Sequence, residues 1–262
     1  MMPKITMKDK IKLYMYIGKL FLNRKKRDHS KINQEYNSGI WNRKFGDVEF
    51  ESLSGNYGRK DMEEYSIFTN NDKLFKGIRS QYEKKYQQQI FDILDNYIDD
   101  SVVELGCGLG TNLFQLHHMN FKKLEGYDIS ENAISLVTQH CKKKGYDIHF
   151  GVCDLNNSLP MIKDKIVFTR SCMEQLKHIM PNVLKNIIAG KPKLVINFEV
   201  NYNTSPPLVK KYFDARDYQN NLVNELLKLE KQKEIEMVSI NKLPLSLSPV
   251  NRLSCIMWKI KE

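Results

Sequence analysis

No segment of the 262-residue chain reaches the roughly 18 consecutive apolar residues that a bilayer-spanning helix needs, which argues against a membrane-embedded protein. A secretory leader is equally ill supported. Lys12 and Lys19 interrupt the apolar residues of 1–27, and no small-residue cleavage site follows. Cysteine is sparse: Cys107, Cys141, Cys153, Cys172 and Cys255 are odd in number and never form a CxxC pair. That pattern excludes a disulfide scaffold and a clustered zinc site, and fits buried thiols in a reducing cytoplasm. The six histidines also lack metal-ligand spacing, so no metal is expected. Arginine is rare, with 8 against 33 lysines, beside 23 asparagines and 23 isoleucines. AT-rich coding produces such a skew, so the net charge of +10 does not by itself name a polyanionic partner.

What is present is ordinary for a folded domain, 41% hydrophobic and 27% charged, and excludes intrinsic disorder. A chain this long buries roughly 70–75% of its unfolded surface and needs no staple. The charge is unevenly placed. Residues 1–31 hold ten Lys and Arg against two Asp, a balance of +8 that leaves about +2 for the rest. Residues 4–27 read as one amphipathic helix, with Ile11, Tyr14, Tyr16, Ile17, Leu20, Phe21 and Leu22 among lysines, ending in Arg24-Lys-Lys-Arg27. Such a helix has two uses. It lies peripherally on an anionic membrane face or ligand, or it packs its stripe on the domain or on a second subunit of a homodimer.

Residues 33–72 keep neither a period of 3.6 nor one of 2, and read as an irregular aromatic cap around a loop at 55–58. Tyr57 and Arg59 there are candidate substrate contacts. A helix is expected over 72–96, broken near Gly77. Strands at 101–105, 123–127, 147–152, 165–169 and 193–200 then alternate with helices at 111–119, 131–144 and 180–188. A long helix over 208–232 and two strands near 234–240 and 254–260 close the chain. Alternation of this kind predicts an α/β fold: a doubly wound, mostly parallel seven-stranded sheet with an antiparallel last strand. The expected division is a basic helix over 1–31, a cap or substrate lid over 32–79, and the main domain over 80–262.

The chemistry is concentrated in Val102-Val-Glu104-Leu-Gly106-Cys-Gly108-Leu-Gly110-Thr. A strand delivers Glu104, and three glycines at i, i+2 and i+4 open a helix, letting backbone N–H groups approach a ligand closely. A dinucleotide fingerprint spaces its glycines as GxGxxG and sets a pyrophosphate on the helix N-terminus. Here the third glycine comes one residue early, and a carboxylate stands two before the first. That carboxylate would repel a pyrophosphate and attract an ammonium or sulfonium.

Glu104 to Gly110 resembles the first motif of the class I, Rossmann-like S-adenosylmethionine-dependent methyltransferases. Leu124-Glu-Gly-Tyr-Asp128-Ile-Ser resembles their second motif, and Phe150-Gly-Val-Cys-Asp154-Leu their third. The resemblance implies S-adenosylmethionine as cofactor and S-adenosylhomocysteine as product. It puts Glu104, Leu105, Gly106, Cys107, Gly108 and Gly110 at the loop, Asp128 on the ribose hydroxyls, and Ile129, Cys153, Asp154 and Leu155 about the adenine. Ser171 would lie beside the cofactor, and Arg79, or its neighbour Tyr82, would take the cofactor's carboxylate.

Val167-Phe-Thr-Arg170-Ser-Cys-Met-Glu174-Gln-Leu176 resembles the fourth motif of the small-molecule branch, but Gln175 stands where many relatives carry a histidine base. Glu174 and His178 remain as candidate general bases. If the acceptor oxygen is already anionic no base is needed, and Arg170 is the candidate that grips it. There is no [DNS]-P-P-[YFW] tetrapeptide, no Pro-Cys pair and no extra acidic cluster, which excludes base- and amide-nitrogen, cytosine-carbon and magnesium-dependent catechol chemistry. The loop Asn197–Tyr202 resembles one that approaches the acceptor, making Tyr202 and Glu199 pocket candidates. The close, Ser248–Trp258, resembles the final hairpin of enzymes that modify sugars and natural products, including capsule and surface glycans. The expectation is a methyltransferase for a sugar, nucleotide-linked, phosphorylated or phosphoramidate acceptor, with no specific nucleic-acid partner. An RNA or protein methyltransferase, or a membrane-docked binding module without turnover, is the alternative. Steep salt dependence would mark the RNA reading.

Overall fold

The structure, a computed structural model, describes residues 5–23, 28–40 and 65–261. Tyr57, Arg59 and the centre of the expected cap lie outside them.

The central sheet has seven strands: β3 (Val102–Leu105), β4 (Leu124–Asp128), β5 (Ile148–Val152), β6 (Ile166–Arg170), β7 (Leu194–Val200), β8 (Ile235–Lys242) and β10 (Leu253–Ile260). Their order is β5-β4-β3-β6-β7-β10-β8, parallel except for β10, which runs antiparallel to both neighbours. Successive strand residues feed opposite faces, as a period of two requires. Val102, Ile166, Phe168 and Ile196 enter one core with helices α3 (Arg79–Leu94), α4 (Thr111–His118) and α5 (Glu131–Lys144). Val103, Val167, Val195 and Trp258 enter the other with α6 (Met180–Ala189) and α8 (Leu222–Lys231). The chain winds outward from β3 through β4 and β5, then crosses back to β6. The switch point between β3 and β6 opens a crevice at their C-terminal ends, where ligands of such sheets bind.

Two expectations need correction. The helix predicted to start at Asp72 starts at Arg79; before it, β1 (Tyr65–Asn70) and β2 (Lys73–Ile78) form an antiparallel hairpin. Its turn residues Asn71 and Asp72 have φ of 47° and 67°, the left-handed region that Asn and Asp tolerate. β1 also pairs with β9 (Leu245–Ser246), and Asp72 accepts from Arg252 at 3.0 Å and Lys242 at 2.7 Å. The hairpin is thereby tied to the C-terminal third of the chain. The long helix over 208–232 is two, α7 (Pro207–Arg216) and α8, broken where Asp217 takes φ 52°. Gln219 Oε1 then accepts from the backbone of Asn221 and Leu222, supplying the N-terminal cap of α8.

At the N-terminus α1 (Met7–Leu22) begins with a reciprocal Thr6–Asp9 capping box and packs on α7. α2 (His29–Gln34) runs on as a π-turn over Glu35–Ile40.

Candidate functional site

A cavity of about 400 Å³ opens at the switch point. Its floor is the glycine loop after β3. Gly106 and Gly110 take φ of 77° and 67°. A Cβ on Gly106 would collide with Cys172 Sγ, and one on Gly110 would meet the Phe150 ring at 2.6 Å, so neither position admits a side chain. Glu104 lines the cavity from the end of β3 and is 1% exposed. Its Oε1 accepts from Asn112 Nδ2 at 2.5 Å, while Oε2 is buried with no hydrogen-bond partner among the described residues. Burial pushes this carboxyl up to about 8, against the pull of Asn112 and of the Arg170 charge.

Asp128 closes β4 at the cavity wall, accepting from Gly108 N and Ser130 N at 2.9 Å each. Burial raises its pKa despite those bonds. Ile129, Cys153, Asp154 and Leu155 continue the wall, with Asp154 Oδ1 accepting from Asn156 N at 2.9 Å. Opposite stands Arg170, at the end of β6. Its Nη1 donates to Gln87 Oε1 and Asn112 Oδ1, both at 2.6 Å, and its guanidinium lies 5.3 Å from the centre of the Tyr86 ring. Asn112 thus couples Glu104 to Arg170. The turn after β6 is held from beneath by buried Glu199, whose Oε1 accepts from Thr169 Oγ1 and from the backbones of Cys172 and Met173. Burial lifts Glu199 to about 7. Ser171 within that turn takes φ 51° and lines the cavity.

The roof is the α2 segment. Ile32 and Tyr36 face the cavity, and Gln175 Nε2 donates to the Tyr36 hydroxyl. Asn37 Oδ1 accepts from Ser130 Oγ at 2.7 Å and Asn132 N at 3.1 Å, clamping the roof to the start of α5.

Eleven sequence candidates therefore converge on one cavity: Glu104, Gly106, Cys107, Gly108, Asp128, Ile129, Cys153, Asp154, Leu155, Arg170 and Ser171. Others stand elsewhere. Leu105 is fully buried in the core, and Gly110 packs on Phe150 behind the loop. Arg79 donates to Leu247 O at 3.0 Å beside Phe68 and does not reach the lining. Glu174 is buried beneath the turn, and His178 Nε2 sits 3.0 Å from Asp217 Oδ2; neither lines the cavity. Tyr202 donates to Asp214 at 3.0 Å, also away from it. Sequence reasoning missed Asn112, Tyr86, Tyr36 and Gln175 as wall residues. Only Asn112, two past the last glycine, had a local signal.

A family model described as a methyltransferase domain matches residues 98–239, which takes in every strand from β3 to β7 and most of β8. The chain belongs to this family, the class I S-adenosylmethionine-dependent methyltransferases. No curated protein matches its sequence significantly. Among solved structures it is similar to magnesium protoporphyrin IX methyltransferase from Synechocystis PCC 6803 with bound S-adenosylmethionine, at TM-score 0.57 and 12% identity over 89% of this chain and 96% of that one. It is similar, too, to geranyl diphosphate methyltransferase with its diphosphate and sinefungin, at TM-score 0.56 and 12% identity over 88% and 99%. A Pyrococcus horikoshii OT3 protein follows at 0.54 and 16% over 69% and 92%. At these identities the likeness is one of fold.

Proposed function

We propose that this methyltransferase moves a methyl group from S-adenosylmethionine to an already anionic oxygen of a small acceptor, such as a phosphorylated or nucleotide-linked sugar destined for a capsule or surface glycan. The cavity residues suit the cofactor. The unsatisfied Oε2 of Glu104 fits an ammonium group, which would replace the missing partner of a buried carboxylate. Asp128 keeps lone pairs beyond the two taken by Gly108 and Ser130 N–H, enough for a ribose diol. Ile129, Cys153 and Leu155 offer apolar contact to an adenine, and Asp154 an acceptor for its amine. Bound there, the cofactor supplies an electrophilic methyl on a good leaving group.

The observation that carries the acceptor class is Arg170. It is the one cation among the described residues of the lining, which include no histidine and no lysine. Gln87, Asn112 and Tyr86 hold its guanidinium in place, so it can orient an anionic group without reorganising. An anionic oxygen has no proton to lose, so the reaction asks nothing of Glu174 or His178. Ile32 and Tyr36 of the α2 segment act as the lid: they close over the cavity and keep water from it. The geranyl diphosphate methyltransferase handles a phosphorylated acceptor on the same fold.

Initial rates on phosphorylated sugars, set against the same sugars without phosphate, test this reading. The phosphorylated form is methylated, and the form without phosphate, which lacks the anionic acceptor oxygen, is not. Arg170→Gln lowers the rate on the phosphorylated sugar by roughly 30- to 160-fold, as expected when a charge-assisted pair worth about 2–3 kcal/mol is lost. Equal rates on neutral acceptors, or wild-type rates in Arg170→Gln, contradict it.

A further inference from the structure

The N-terminal helix is amphipathic on two sides, and only one is used. α1 turns Leu13, Ile17 and Leu20 inward against the body, with Ile17 3% exposed, and Asp9 anchors its start to Lys76 at 2.9 Å. At 100° per residue, Met7, Ile11, Tyr14, Met15, Gly18 and Leu22 form a second arc, about 100° wide. That arc faces outward. Leu22 is 87% exposed, Met7 74% and Met15 59%, and a side chain built on Gly18 would meet nothing within 4 Å. Isolated exposed apolar residues need no explanation, but a continuous stripe along a 16-residue helix does.

Charge identifies the occupant. Exposed Lys8, Lys12 and Lys19 run along one border of the arc and Lys10 along the other. The sequence continues into Arg24-Lys-Lys-Arg27, giving the first 31 residues their balance of +8. A second copy meeting this stripe about a two-fold axis would bring the lysines of one helix against those of the other. An anionic lipid surface instead satisfies both features, taking the apolar arc among its acyl chains and the lysines at its headgroups. We propose that the outward face of α1 docks this protein on an anionic bilayer, with the helix lying in the interface.

The test is sedimentation of the full chain with phosphatidylcholine vesicles and with vesicles containing about one-third phosphatidylglycerol. The expected result is binding to the anionic vesicles, at least tenfold weaker binding to neutral ones, and release by salt. Ile11→Asp combined with Met15→Asp abolishes binding. Lys8→Glu, Lys12→Glu and Lys19→Glu together lower partitioning by more than a hundredfold, since each lysine near the surface contributes about fivefold. Thermal melts establish that the variants fold; if the aspartate pair does not, the lysine set decides. No binding, equal binding to neutral vesicles, or binding indifferent to both sets overturns the proposal. So does a concentration-dependent dimer, broken by the aspartate pair, in protein that ignores lipid.

Discussion

Glu104→Gln separates what the buried carboxyl does for the empty protein from what it does for the cofactor. The substitution keeps the shape and the oxygen that accepts from Asn112, and removes only the charge. Burial raises the carboxyl from 4.5 to about 8, so the folded state holds this proton more tightly than the unfolded chain does. Its contribution is fully present below the unfolded value of 4.5 and is lost as pH rises towards the folded value near 8. Inside that window each pH unit lowers the unfolding free energy by about 1.4 kcal/mol. Glutamine does not titrate. The stability of Glu104→Gln relative to wild type therefore rises by about 3 kcal/mol between roughly pH 5.5 and 7.5. In a domain of this size that is a relative gain of at least about 6 °C in Tm. Thermal melts of both proteins across the window measure it, and because other groups titrate alike in both, the difference isolates residue 104. The cofactor side moves oppositely. An ammonium-bearing ligand selects the ionised carboxylate, so wild-type affinity climbs by up to tenfold per unit from about pH 6 to 7.5, and the climb vanishes in the variant. A stability difference that stays flat with pH, or a variant that loses ground as pH rises, would refute the reasoning.

Three other outcomes are expected. Asp128→Ala weakens S-adenosylmethionine binding by about 1.5–3 kcal/mol, the value of hydrogen bonds to a charged acceptor, and unchanged affinity in calorimetry would move the ribose site elsewhere. Gly106→Ala combines positive φ with a Cβ inside the radius of Cys172 and loses about 2–4 kcal/mol in denaturant unfolding; adding Cys172→Gly returns part of it. Asp72→Asn removes the charged partner of Lys242 and Arg252 and costs about 0.5–1 kcal/mol near neutral pH, the small value expected of a half-exposed pair. Because those partners hold the Asp72 carboxyl below 3.8, this loss is present above that value and fades as pH falls through the folded one, which acid titration of the two proteins checks.

The parallel sheet was legible because its signal is local. In β3 and β6 consecutive apolar residues are each buried, on alternating faces, and polar turns bound them. The hairpin was not. Leu74, Phe75, Ile78 and Tyr82 sit at helical spacing, and the turn at Asn71-Asp72 lacks the glycine that marks most two-residue hairpins. The break between α7 and α8 was hidden for a similar reason: Asp217 reverses the chain with neither glycine nor proline to announce it.

The site divides the same way. Glu104 and Asp128 lie at the C-terminal ends of β3 and β4 and Asp154 two residues past β5, and each position follows from its own strand and loop. The opposite wall is built from contacts distant in sequence: Arg170 reaches Gln87 across 83 residues, and Gln175 reaches Tyr36 across 139. No periodicity carries that information. Glu174 and His178 looked available because they follow β6 closely. Glu199 gathers the turn beneath them and directs Cys172 and Gln175, rather than those two, to the cavity.

The central claim, that the glycine loop, Glu104 and Asp128 form a site for S-adenosylmethionine, is tested most directly by calorimetric titration. Purified protein is titrated with S-adenosylmethionine and S-adenosylhomocysteine, with NAD as the control. Micromolar binding of the first two with none of NAD is the predicted result. A folded protein that binds neither, or that prefers NAD, would contradict the account.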